Sequence, residues 1–373
     1  MLEDLEGLPL IDNHCHAFVP SGPLDLVGLA EVVALASSGR DFASTAADVR
    51  RHNEYTIFYR WLLRELAAFL GCEPESVLAA RNRASADYGA YTHRLFRDAG
   101  LETILVDTGY PQPPVDIASF RRMVGCRAEA IFRLEPMMDE LLRRKLPWQE
   151  FLRAYEEAIA AAVEREMHVA LKSIIAYRTG LDVRPAKEGE ARRAFEKMDN
   201  LKPLRDFLLC RALEMSIELK VPMQLHTGFG DLDIAFNARN PALLFDLLKV
   251  EPYRRAIVVF IHCYPFVDDA AYMAAILPGV YFDLSLTFPY THQLAAHWLS
   301  RALTVAPASK LLYGSDGFAL PEIHWLAAKL FRRALREVLE GLVSEGFLRE
   351  KEAWEFARLL AAENARRIYR IGG

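Results

Sequence analysis

Short apolar runs alternate with longer amphipathic stretches along most of this chain. Eight runs read as strands: Leu8–Asn13, Glu102–Asp107, Glu129–Leu134, His168–Ile174, Met223–His226, Ala256–His262, Val280–Leu284 and Lys310–Tyr313. Most are aliphatic or β-branched and too short for helices, the pattern of strands buried on both faces of a parallel sheet. Helical periodicity separates the later ones, over Trp148–Glu166, Lys202–Leu219, Pro241–Lys249, Asp268–Leu277, His292–Val305 and Pro321–Val343. Strand–helix alternation of this kind predicts an α/β fold, and eight repeats predict a (β/α)8 TIM barrel.

Two stretches break the rhythm. Residues 20–99 carry no strand pattern but several helical ones, including Tyr55–Leu70 and Glu75–Arg81, which predicts a helical insertion after the first strand. In a barrel such an insertion sits at the mouth, as a lid or pocket wall, or serves packing and subunit contact. The second excursion, Tyr177 to Asp199, contains Gly180, Pro185 and Gly189, which are expected to break any helix there. The whole chain, 1–373, reads as one barrel.

Composition adds limits. The 373 residues are 52% hydrophobic and 25% charged with a net charge of −5, and no long basic stripe marks a nucleic-acid partner. No apolar run approaches a bilayer span, so no membrane partner is expected. The start, MLEDLEGLPLID, lacks the basic and apolar regions of a secretory signal. Five cysteines, an odd number without a CxxC pair, point to reduced thiols and a cytoplasmic location.

The chemistry-bearing residues fall at strand ends. In Ile11-Asp12-Asn13-His14-Cys15-His16, alternate residues of an extended chain point the same way, so His14 and His16 can aim both imidazoles at one metal ion. The alternative for an isolated HxH is a pair of loop histidines. His226 ends a second apolar run, before Thr227-Gly228, and His262 ends the next. A single histidine there is ordinarily structural, but two at equivalent points of successive strands would converge with His14 and His16 on one face of a barrel. Asp316, in Tyr313-Gly314-Ser315-Asp316-Gly317, follows the last run between glycines that allow close backbone approach. It reads as metal ligand, general base, or both, against the alternative of a turn or helix cap. Cys15 and Cys263, each beside one of these histidines, read as small buried apolar residues.

Together these motifs resemble the amidohydrolase superfamily, and Glu363–Tyr369 resembles the C-terminal helix of its amidohydrolase 2 branch. Leu171–Leu181, Met223–Asp231 and Tyr313–Glu322 are similar to the amidohydrolase portion of nodulin/glutamine-synthetase-like fusion proteins. The resemblance implies a divalent metal, zinc first with manganese or iron as alternatives, held by His14, His16, His226 and Asp316, with Asp316 also carrying protons. It implies that His262 binds a second metal or polarises the substrate, and that Lys172, at the fourth strand, becomes a ligand only if carboxylated. Unmodified, Lys172 would bind an anionic substrate. Loop residues Tyr177, Arg178, Arg133, Glu135, Asp231 and Arg239 are candidate substrate contacts, because arginines suit bidentate capture of a carboxylate; the alternative is a salt-bridge network bracing the loops. The expected activity is metal-dependent hydrolysis of an amide (C–N) bond in a small, carboxylate-bearing molecule, a γ-glutamyl amide being one candidate by resemblance. The branch also implies two alternatives on the same scaffold, a nonoxidative decarboxylase and a sugar-acid isomerase. A non-catalytic metal-binding protein is the third, and a homo-oligomer is implied as well.

Overall fold

In the computed structural model, residues 3–35, 52–111, 113–231 and 234–372 are described. Eight parallel strands run in the order β1-β2-β3-β4-β5-β6-β7-β8: Leu10–His16, Leu101–Asp107, Arg127–Arg133, Ala170–Ser173, Met223–His226, Val258–Ile261, Val280–Asp283 and Leu311–Leu312. The chain following β8 returns to β1. Asn13 N–H donates to Tyr313 O (2.9 Å), Asp316 N–H to His14 O (2.9 Å) and His16 N–H to Gly317 O (2.8 Å). These bonds close the sheet into a (β/α)8 TIM barrel and bring the HxH motif against the GSDG loop.

Helices follow each of the later strands and cover the barrel's outside, among them Trp148–Glu164, Lys202–Leu219, Val267–Ile276, Ala295–Val305 and Pro321–Ser344. Their apolar faces join the strands' outward residues in one large core. The inward residues Ile11, Leu105, Ile131, Ala170, Val259, Ile261 and Leu312 form a second cluster with Ala365, Ile368, Tyr369 and Ile371. Val169, Ile257 and Tyr281, beside the strand starts, pack against it. The C-terminal helix Asn364–Tyr369 therefore plugs the end of the barrel opposite the strand C-termini.

Several boundaries differ from the sequence reading. β1 extends through His16 instead of ending at Asn13, because its backbone still bonds both β2 and the GSDG loop. Leu134 opens a helix, Leu134–Arg143, instead of closing β3. The 177–199 excursion contains a helix, Glu188–Lys197, despite Gly189. That glycine lies in the first turn, whose N–H groups have no intrahelical partner, and Glu190 Oε2 reaches back to accept from Lys187 N–H at 3.3 Å. Pro241–Leu244 is a 3₁₀ turn leading into the short helix Phe245–Leu248.

Between β1 and β2 lie the helices Leu26–Val32, Ile57–Leu70, Val77–Ala84 and Tyr88–Asp98; residues 36–51 of the expected insertion fall outside the described residues. A buried ion pair ties this segment to the barrel. Arg81 Nε donates to Glu322 Oε1 at 2.8 Å with neither side chain exposed, and Tyr91 Oη donates to the same oxygen at 3.0 Å. Among the described residues no helix is long and apolar enough to cross a membrane.

Breaking a buried pair from one side strands a charge, at a cost of about 3–5 kcal/mol, whereas removing both partners together costs far less. Arg81→Met is expected to lower the urea unfolding midpoint markedly. The double variant Arg81→Met/Glu322→Leu is expected to recover most of that loss.

Candidate metal centre

His14 and His16 lie on β1, His226 ends β5, His262 follows β6, and Asp316 follows β8. His262 and Asp316 have left-handed backbones (φ 71° and 49°), a conformation uncommon for residues with a Cβ and one that clusters at functional sites. The glycines beside Asp316 are required by space. A Cβ on Gly314 would lie 2.6 Å from Asp283 Oδ2, and one on Gly317 would collide with the His324 ring.

The structure brings the side chains of His14, His16, His262 and Asp316 together. Asp316 Oδ1 lies 3.2 Å from His14 Nε2 and 3.1 Å from His16 Nε2, and Asp316 Oδ2 lies 3.6 Å from His262 Nε2. Yet Asp316 Oδ1, though buried, has no hydrogen-bond partner among the described residues, nor does His16 Nδ1. Donors bound to one ion at about 2.0–2.2 Å stand roughly 3–3.6 Å apart, so these separations fit a common metal better than a hydrogen-bonded network.

Neighbouring groups set the tautomers. His14 Nδ1 is 2.7 Å from Gln224 Oε1, an oxygen that can only accept, so Nδ1 carries the proton and Nε2 keeps its lone pair. Gln224 is held in turn by donating to Asn13 O and Tyr369 Oη, both at 2.7 Å. His262 Nδ1 donates to Ser285 Oγ at 2.8 Å, since that hydroxyl is already committed as donor to Asp283 Oδ1 at 2.6 Å. His262 Nε2 is thereby an acceptor facing Asp316. A neutral His262 in this tautomer has no proton on Nε2 with which to polarise a substrate oxygen.

Protonation states agree with a ligand set. Burial pushes His14 down to about 4, and drives His226 and His262 well below the usual histidine range. Burial opposes ionisation of Asp316, but His262, His14 and His16 together hold its carboxyl well below the usual carboxylate range. Neutral imidazoles and an ionised carboxylate are the forms that bind a metal ion. Burial pushes the Lys172 amine down to about 8, with Asp107 opposing. Its Nζ lies 3.5 Å from His14 Nε2.

These groups line a cavity of about 730 Å³ at the strand C-termini, where His16, Lys172, His226, His262 and Asp316 meet Arg133, Tyr177, Arg178 and Asp231. The expected contacts do not all reach it. Glu135 is buried under β4, where its Oε1 accepts from Ser173 Oγ (2.6 Å) and Ile174 N–H (2.8 Å), and Arg239 stacks its guanidinium over Phe236 instead of lining the cavity. Arg133 does line it, but its guanidinium is held bidentately by Asp107 (2.9 and 2.6 Å). His226 Nε2 donates to Phe229 O at 2.6 Å, so only Nδ1 is left for an ion; its ring stands 4.5 Å from that of His262. Among the described residues, donor atoms lie within 4.8 Å of one another in three groups: His14, His262 and Asp316; His14, His16 and Asp107; and Asp12, Cys15 and His324.

Sequence reasoning missed Gln224, Asp107, Asp283, Ser285 and Tyr369. Gln224 was findable, standing two residues before His226 on the same strand; Asp107 and Asp283 end β2 and β7 just as the histidines end their strands.

A family model described as amidohydrolase matches residues 147–371. The chain belongs to the amidohydrolase family. It is 28% identical to protein fluG of Emericella nidulans across 97% of this chain and 46% of that protein, so it spans about half the length of this curated relative. A Lactobacillus casei crystal structure assigned as a metal-dependent hydrolase superposes with a TM-score of 0.87 at 28% identity, covering 99% of this chain and 96% of the other. The uronate isomerase of Thermotoga maritima shares the amidohydrolase barrel at 16% identity (TM-score 0.69, 98% and 95% covered), a likeness of fold.

Removing the acceptor that orients a ligating histidine costs roughly 10- to 100-fold in metal affinity. Gln224→Leu is therefore expected to weaken divalent-metal binding by that factor in a chelator competition. Gln224→Glu, which keeps the acceptor, is expected to retain most of it.

Proposed function

We propose that this amidohydrolase is a cytoplasmic metal-dependent hydrolase that cleaves an amide bond in a small carboxylate-bearing molecule, with zinc as the favoured ion. The observation that carries the reading is the Asp316 carboxylate, ionised, buried and unbonded at Oδ1 between two imidazole nitrogens on the cavity floor.

His14, His16 and Asp316 would hold the ion, with His262 Nε2 alongside and His226 contributing through Nδ1. Once bound, such an ion makes hydroxide available near neutral pH by lowering the pKa of water to about 7. Asp316 Oδ2 takes the attacking water's proton and returns it to the departing nitrogen. His262 Nε2, an acceptor 3.6 Å away, is placed to accept from Oδ2 once that oxygen carries the proton. Lys172 enters the ligand set only as a carbamate, which mass spectrometry reads as one added CO2; otherwise its amine faces the substrate's charge. Arg178 lines the cavity, and among the described residues its one ion-pair contact is a long one of 3.8 Å to Asp139, which leaves its guanidinium available to a carboxylate. Tyr177 packs its ring 4.7 Å from that of His226 and accepts from Asp231 N–H at 3.1 Å, forming one wall with Asp231. Arg133, fixed by Asp107, adds positive potential. Leu35, between β1 and β2, completes the lining and supports a wall role for the 20–99 segment.

The test is a panel of γ-glutamyl and N-acyl amino-acid amides, scored for released amine, for CO2 and for aldose–ketose change with sugar acids. Amine release that stops on chelation and returns with zinc supports the hydrolase; CO2 or isomer without amine overturns it. On the substrate so found, Asp316→Asn is expected to lower kcat by about 10²–10⁴-fold, the range for a lost proton-transfer group. Arg178→Ala is expected to raise KM with less effect on kcat, as for loss of a contact made equally before and during reaction.

A further inference from the structure

Two kinds of surface face the catalytic cavity, and they lie on opposite arcs of the barrel mouth. Outside the donor set, every acidic or basic side chain of the described wall comes from β3, β4, β5 or the segments after them: Arg133, Asp139, Arg143, Lys172, Arg178 and Asp231. The segments after β7, β8, β1 and β2 give Leu286, Phe318, Leu35, Tyr110 and Pro111, with Gly109. Those four strands are neighbours: β7 pairs with β8, β1 pairs with β2, and the hydrogen bonds after β8 return to β1. The apolar wall is therefore continuous. His16 and Asp316 end the strands beneath it, and His226 ends a strand beneath the charged wall.

The apolar arc reaches the reaction centre. The Tyr110 ring meets that of His16 edge-on at 5.1 Å. Leu286 N–H bonds the carbonyl of Ser315, the residue before Asp316, at 3.3 Å. Leu286 has a left-handed backbone (φ 60°), strained for a leucine, and yet it presents its side chain to the cavity. Leu35, Tyr110 and Phe318 are half-buried, so part of each apolar surface is open to cavity water. Covering such a surface with an apolar group is favourable. A charged group pressed against it would lose hydration without gaining a counter-ion. The cavity thus distinguishes the two ends of a ligand.

We propose that the substrate joins a carboxylate-bearing half to an apolar half through the bond that is cut, with the apolar half packed against Leu35, Tyr110, Leu286 and Phe318. The carboxylate then faces the arc of Arg133 and Arg178, and the amide lies between, beside Asp316. Hydrolysis breaks the C–N bond, forms a C–O bond from water and leaves the water's proton on nitrogen, giving one acid and one amine, of which one keeps the apolar group. This rests on the hydrolase reading of the cavity and names its substrate class.

The experiment is isothermal titration of the zinc-loaded protein with levulinate and its homologues carrying propyl and pentyl in place of methyl. The carboxylate and ketone stay constant while the apolar tail grows by two methylenes at each step. Affinity is expected to rise about tenfold per step. Phe318→Ser and Leu35→Ser are expected to flatten that rise, whereas Arg178→Ala is expected to weaken all three ligands alike; thermal midpoints confirm that the variants fold. Equal affinity for all three tails overturns the apolar subsite and leaves the carboxylate reading standing. A rise unchanged in both serine variants also overturns it. If none of the three binds, the carboxylate reading fails and the subsite with it. Amine release is scored separately, from N-hexanoylglycine and from the N-pentyl monoamide of succinate, which carry the apolar group on the acyl and the amine side. Release from one assigns the apolar half, and release from neither, with the rise intact, overturns the hydrolase reading while the subsite stands.

Discussion

Everything at this site depends on the seam between the first strand and the segment after the eighth. Asp316 N–H bonds His14 O, and His16 N–H bonds Gly317 O, so the backbone that closes the barrel also sets the aspartate against the histidine pair. Closure and donor placement are one set of hydrogen bonds. Ser315 reinforces it, giving both its N–H and its hydroxyl to the Asp12 carboxylate on β1. A slip of the seam by one residue would turn side chains to the opposite face and disperse the donors.

Beneath the donors lies a layer of polar groups whose work is orientation. Asp283 accepts from Ser285, from His262 N–H and from Asn13 Nδ2, thereby fixing the hydroxyl that holds His262. Gln224 fixes His14 and is anchored by Tyr369, whose hydroxyl also donates to Asn13 Oδ1 at 2.9 Å. The C-terminal helix thus contributes twice, plugging the barrel with apolar side chains and bracing the site through one hydroxyl. Burying so many polar groups is tolerable only because nearly all are paired. Asp316 Oδ1, one of the buried atoms left without a hydrogen bond among the described residues, lies where the ion is inferred.

The sequence carried this site's outline because barrels bring strand C-termini to one face. Residues as distant as His14 and Asp316 could be joined by position in the alternation alone, and they do converge. Strand ends were less legible. The HxH segment looks like a loop until its pairing with two neighbouring strands is known, and Leu134 is apolar whether it ends a strand or begins a helix. Gly189 misled because a glycine's cost depends on which turn of a helix it occupies. The contact residues were hardest. Arg133, Arg178 and Arg239 are equivalent as letters, yet one is locked on Asp107, one faces the cavity almost unpaired, and one stacks on Phe236. Only side-chain partners in three dimensions separate a braced arginine from an available one.

Charge in this cavity follows a consistent order. On the floor, the Asp316 carboxyl is held well below its usual range while burial pushes His14, His226 and His262 below theirs, so negative charge concentrates at the inferred ion. Around it stand Lys172 and Arg133, the former weakened by burial and the latter offset by Asp107. Farther out, Arg178 and Arg205 flank the Asp139 carboxylate at 3.8 and 3.6 Å. Under the proposed function, the Lys172, Arg133 and Arg178 charges would orient a carboxylate-bearing molecule by its charged end and leave the neutral bond beside Asp316. In that reading the floor supplies the reaction and the wall supplies the selection, so a change at Arg178 would alter which molecule is taken without altering the donors around Asp316.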